Sequence, residues 1–152
     1  MKTQFSIISA LIAGFIATAA MTAFTYMAPL MGLEMNIPKM LASTMGAPIV
    51  VGWLAHFMIG EVLAVGYSAL YLTITNKNSD ARTGAIFGII PWLIAQLIVM
   101  PMMTTMTGGG FLSGIFSGSF MMAVASLAGH LIYGAVLGII YKPQIVSSSV
   151  NV

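Results

Sequence analysis

Cysteine is absent and charge is scarce. The 152 residues include no cysteine, five Lys and Arg, and three Asp and Glu. The first absence excludes disulfides, thiolate metal sites and cysteine nucleophiles. The second excludes an ordinary soluble domain, because such domains carry about 25% charged residues and this chain has 5%. A formal charge of +2 is too small and too scattered for nucleic-acid binding. No Asp falls inside an apolar stretch, and neither histidine has a motif-level nucleophile beside it, so no hydrolase and no catalytic activity of its own is expected. What is abundant is apolar: 59% of residues are hydrophobic and the mean hydropathy is +1.03. The lipid bilayer is therefore the expected solvent and first partner.

Crossing hydrocarbon takes about 20 apolar residues in a helix. Four such segments fit, at about 5–31, 48–73, 81–103 and 115–141. The expected fold class is all-α, a single integral-membrane four-helix bundle over residues 1–152. Lys2, the apolar run Phe5 to Ile16 and Ala17-Thr18-Ala19 imitate a signal peptide. The apolar character continues to Met31, which suits a retained span. Pro29 marks the end of the first span or a kink in it. Pro38 in a first turn and Gly46 as a stop predict a short surface helix over Lys39 to Met45. Asp80 is the expected N-cap of the third span, and Pro91 predicts a kink within it. Gly108-Gly109-Gly110 reads as a flexible loop; no GK[ST] follows, so it is not a phosphate loop. Lys2, Lys77, Arg82 and Lys142 fall on one side of an up-down arrangement and Lys39 alone on the other. The positive-inside rule then places both termini in the cytoplasm, with the protein integral to the cell (inner) membrane.

The two histidines of the chain sit in matching settings. Aligning His56 on His130 brings Gly60 onto Gly134, Leu63 onto Leu137, Tyr67 onto Tyr141 and Gly14 onto Gly88. This predicts two tandem helical hairpins of one orientation, related by an axis along the membrane normal. His56 and His130 would then lie at matching depths on the second and fourth spans, diagonal neighbours in a bundle connected in order. Two imidazoles facing across such a core suit axial ligation of a haem iron. Gly52 and Gly60 flank His56, and Ser126 and Gly134 flank His130; small residues there would leave room for a macrocycle.

Paired histidines on helices two and four make the chain resemble the cytochrome b type of membrane bundle. The resemblance rests on His56, His130 and helix order. It implies haem b held by both residues, in an electron-transfer or respiratory-complex subunit. The chain departs from that family in having one histidine per helix, hence one haem at most, and no outward arginine to meet propionates; Lys39 is the only cation nearby. Gly52-Trp53-Leu54-Ala55-His56 with Gly129-His130-Leu131-Ile132-Tyr133-Gly134 also resembles small bacterial integral-membrane families of unknown function, which implies no activity.

Other readings stay open. Small residues one turn either side of a histidine also describe close helix packing, as in a cofactor-free structural or assembly subunit. Glu61 is the most expensive residue, because a carboxylate at mid-bilayer costs at least about 2.5 kcal/mol and must face the interior or water. It lies about 140° round the helix from His56. One reading is a proton or ion site with Gln96 and Thr22, in a small transporter or channel. The other is a hydrogen bond to Gln96 or to a threonine. The Thr18, Thr22 and Thr25 stripe is expected to face other helices and bond back to carbonyls one turn earlier. Outward methionines such as Met35, Met40 and Met100 suit Cu(I), but methionine is also an adaptable packing residue. Without cysteine or loop histidines, copper is disfavoured. A bundle this small has limited interior, so a homo-oligomer or a larger membrane complex is the expected setting.

Overall fold

A computed structural model describes residues 2–116 and 120–146. It is an all-α bundle with four helices long and apolar enough to cross a membrane. Helix α1 spans Ile7–Thr25 and is followed by a 3-10 turn at Ala28–Met31. The short α2 spans Ile37–Thr44. Then come α3 at Ile49–Thr75, α4 at Ala81–Met106 and α5 at Phe120–Ile140. One small addition to the all-α expectation is a strand pair: β1 (Lys2–Gln4) runs antiparallel to β2 (Gln144–Val146).

Local chemistry sets these boundaries. The Ser6 hydroxyl accepts from the Ser9 N–H at the start of α1, and the Asp80 carboxylate accepts from the Thr83 N–H at the start of α4. Each satisfies an amide that a helix start leaves orphaned. Asn36 caps α2 in the same way through the Lys39 N–H, and Gly46, at φ +61°, follows its end. The fourth long helix begins at Phe120; Leu112–Gly114 form a 3-10 turn, Phe116 has φ +47°, and 117–119 lie outside the described residues.

Two helices change register inside the bundle. α3 opens into a π-helical segment at Gly66–Tyr71, and α4 does so at Ala95–Val99, one turn after Pro91. Such wide turns are frequent at functional sites, where they re-aim side chains within an otherwise regular helix.

The helices pack unequally. α4 and α5 are the closest pair, α1 packs against both α5 and α3, and α2 lies on α3. α3 and α4 meet chiefly where the π segment Gly66–Tyr71 touches α4. The α4–α5 contact is built on glycine. A Cβ on Gly84 would strike the Gly134 carbonyl, and one on Gly88 the His130 carbonyl; Gly134 and Gly138 are equally close to α4. Both helices carry glycines four apart, which lets their backbones approach without side chains between them. The main core sits near the chain termini: Tyr67, Tyr141, Leu137 and Ala10 are at most 1% exposed.

Candidate functional site: a histidine chamber between the spans

Because α3 and α4 stay apart over most of their length, a cavity of about 190 Å³ remains at the centre of the bundle. All four spans and α2 contribute walls. Ile37, Met40, Leu41, Ile94, Val99 and Met100 give it an apolar surface, and His56, Gln96, Ser126, His130 and Tyr133 supply polar groups. A second cavity of about 700 Å³ lies towards the α2 end of the bundle, with Glu34, Asn36 and Lys39 in its wall. Ile37, Met40, Gln96, Met100 and Ser126 line both. The larger space is thus a vestibule to the smaller, and the Gln96 side chain, donating to Ser126 Oγ at 3.4 Å, stands between them. The wide turn at Ala95–Val99 carries Gln96 into this position.

The two histidines differ in what they offer. Nδ1 of His130 lies 2.8 Å from the Ser126 carbonyl. A carbonyl only accepts, so Nδ1 carries the proton and the neutral ring keeps a lone pair on Nε2. That Nε2 has no hydrogen-bond partner among the described residues. His56 is tied down instead. Its Nε2 lies 2.9 Å from Thr22 Oγ1, and that hydroxyl already donates to the Thr18 carbonyl at 2.7 Å. Thr22 has one proton to give, so His56 Nε2–H donates to it. Across the same chamber, the Tyr133 hydroxyl donates to the Gly60 carbonyl at 2.6 Å, joining α5 to α3.

Several sequence expectations need correction. Gly52, Gly60 and Gly134 leave no clearance for a macrocycle. A Cβ at Gly52 would strike the Pro38 carbonyl of α2, at Gly60 the Thr18 hydroxyl, and at Gly134 the Gly84 carbonyl. Their smallness serves helix contact. His56 holds its Nε2 in a hydrogen bond with Thr22, so that nitrogen is not free to ligate an iron. As folded, the chamber does not fit a haem held by both rings. Glu61 bonds to neither Gln96 nor a threonine. It faces α1, where its Oε2 is shut against Gly14 with no hydrogen-bond partner among the described residues. The 140° offset from His56 explains this: the chamber takes one face of α3 and α1 takes the other. Glu61, Gln96 and Thr22 therefore do not form one site; Gln96 and His56 line the chamber and Glu61 lines neither cavity. Thr18, Thr22 and Thr25 bond back to the carbonyls of Gly14, Thr18 and Thr22.

Tyr133 belongs to the site without having been singled out as a site residue by sequence, and Ser126, read there only as a small residue flanking His130, takes part through its carbonyl and hydroxyl. Tyr133 follows His130 by three residues, which puts both on one helix face; that spacing was the available signal. Glycines at 84 and 88, and at 134 and 138, were readable as a close-packing pattern.

Comparison with known proteins returns one result. The model of a family of unknown function matches residues 5–147. No curated protein and no solved structure matches, and no likeness to cytochrome b bundles is shown by these comparisons.

Proposed function

The chain belongs to that family, DUF6789, which brings no activity with it, and from the chamber itself we propose a small membrane protein that binds a compact ligand between its spans. The observation that carries this is the His130 Nε2 lone pair, unpartnered in a cavity walled by all four spans. A bare acceptor in apolar surroundings is complementary to a hydrogen-bond donor. The ligand is accordingly apolar in body with one O–H or N–H. It is also small: about 190 Å³ is below the ~300 Å³ at which drug-sized pockets begin. It arrives through the vestibule at the α2 end, past Gln96 and Ser126. By the charge rule that end faces out of the cell.

Two histidines give two sets of imidazole resonances, so the test is direct. Protein labelled with ¹⁵N-histidine is titrated with 4-methylphenol, a small apolar body with one O–H. Saturable shifts centred on His130 Nε2, abolished in His130→Ala and retained in Glu61→Gln, are expected. Unmoved resonances at millimolar probe would count against the chamber as a binding site. A Soret band in protein from haem-replete cells, lost in His56→Ala and in His130→Ala, would instead favour the bis-histidine cofactor.

A further inference from the structure

The chamber and its vestibule open towards the α2 end, while the end carrying the chain termini is shut. The closure is made of repeat-related residues. Tyr67 and Tyr141 stand at the same 74-residue offset that separates His56 from His130. Their rings meet edge to face with centroids 6.3 Å apart, and they are 0% and 1% exposed. Each hydroxyl reaches the start of the other half's first helix. The Ser79 hydroxyl donates to the Gly138 carbonyl at 2.9 Å, so Tyr67 O–H donates to Ser79 Oγ at 3.0 Å. Tyr141 Oη accepts from the Ser6 N–H at 3.3 Å. Ser6 and Asp80, the two helix caps, are themselves 74 apart. Phe87 of α4 packs on Tyr67, with centroids 5.1 Å apart.

This closure has the build of a releasable clasp. Each half holds the other through one tyrosine hydroxyl and one helix start, so both contacts must part before the halves can separate at this end. The seam best placed to move is also marked. Two like halves would bring α1 to α5 as α4 to α3, yet α1–α5 is packed extensively and α3–α4 is joined chiefly at Gly66–Tyr71, beside Tyr67.

We propose that the protein is a transporter working by alternating access, and that Tyr67 and Tyr141 form its gate at the termini end. In the arrangement described, the chamber is reached from the α2 end. When the tyrosines part, the same chamber is reached from the termini end, and a small donor-bearing ligand held at His130 leaves on that side. This rests on the chamber being a ligand site, as proposed above.

The absence of cysteine makes the native protein a blank for single-cysteine labelling. Ser126→Cys reports the vestibule side of the chamber and Leu63→Cys reports its wall on α3. Each is treated with a membrane-impermeant maleimide, in right-side-out and in inverted vesicles. Ser126→Cys is expected to label from the α2 side, and Leu63→Cys slowly from the termini side. Tyr67→Phe with Tyr141→Phe should speed the latter by about tenfold, the effect of losing one or two modest hydrogen bonds. Labelling of Ser126→Cys in the same double variant is the check on folding. Were that variant misfolded, Leu63→Cys with native tyrosines decides alone. Leu63→Cys that never labels from the termini side would overturn the gate and leave a dead-end binding site. Failure of Ser126→Cys to label from the α2 side would remove the chamber reading itself.

Discussion

Gly88 lies where α4 crosses the His130 carbonyl, and a Cβ there would overlap backbone, which cannot turn aside as a side chain can. Gly88→Ala should therefore push α4 from α5 and cost about 1–3 kcal/mol, the usual range for overpacking. Gly66 is the control, since nothing lies within 4 Å of a Cβ built there. Gly66→Ala should be neutral or stabilising by roughly 0.5–1 kcal/mol, because alanine loses less backbone freedom in a helix. Thermal unfolding in detergent compares the two. Tyr133→Phe keeps the ring and removes only the bond to Gly60, so a loss of about 0.5–1.5 kcal/mol is expected in the same assay. Thr22→Val should release His56 Nε2 and change its ¹⁵N tautomer signature while that of His130 stays. At this scale the histidines were legible, being the only two in the chain and set among small residues. The inequality between them was not. It depends on which carbonyl and which hydroxyl each ring meets, and no spacing rule carries that.

At the scale of elements, Asp80 shows what short-range sequence does specify. A carboxylate three residues before an exposed amide is a cap by chemistry alone, and it was readable as one. The Thr83 N–H donating to its carboxylate holds Asp80 below the usual carboxylate range. A lowered folded value means that the cap's full contribution is present above the ordinary carboxylate pKa and is lost as pH falls through the lowered one. The melting temperature should thus drop as pH falls below about 4, and Asp80→Asn, which still caps but does not titrate, should flatten that drop. The π segments were not legible. Pro91 announced an irregularity in α4, but its position at Ala95–Val99, and with it the turning of Gln96 towards Ser126, follows from packing across the bundle. Glu61 marks the same boundary. Its angle from His56 followed from helix geometry, but the lack of any hydrogen-bond partner for Oε2 did not.

For the whole molecule, four apolar runs and a short polar turn were enough to give an all-α membrane bundle. The 74-residue offset that pairs His56 with His130 also pairs the two helix caps, Ser6 and Asp80, as tandem hairpins would. What it could not convey is that the two seams of the bundle differ, because a repeat predicts likeness and the chamber arises from unlikeness. β1 and β2 bring both termini to one end of the bundle. A reporter fused at either terminus should read the same side, which the charge rule predicts to be the cytoplasmic one; opposite readings would overturn this orientation.

That strand pair has one more consequence. With the first and last described strands hydrogen-bonded to each other and the polar turn at 76–80 near them, a chain cut in that turn and joined through a short linker between its old ends retains every span and its neighbours. Such a circular permutant starts with the second hairpin and finishes with the first. It should insert and fold as the parent does, so that the order in which the halves are synthesised is not what makes them unequal.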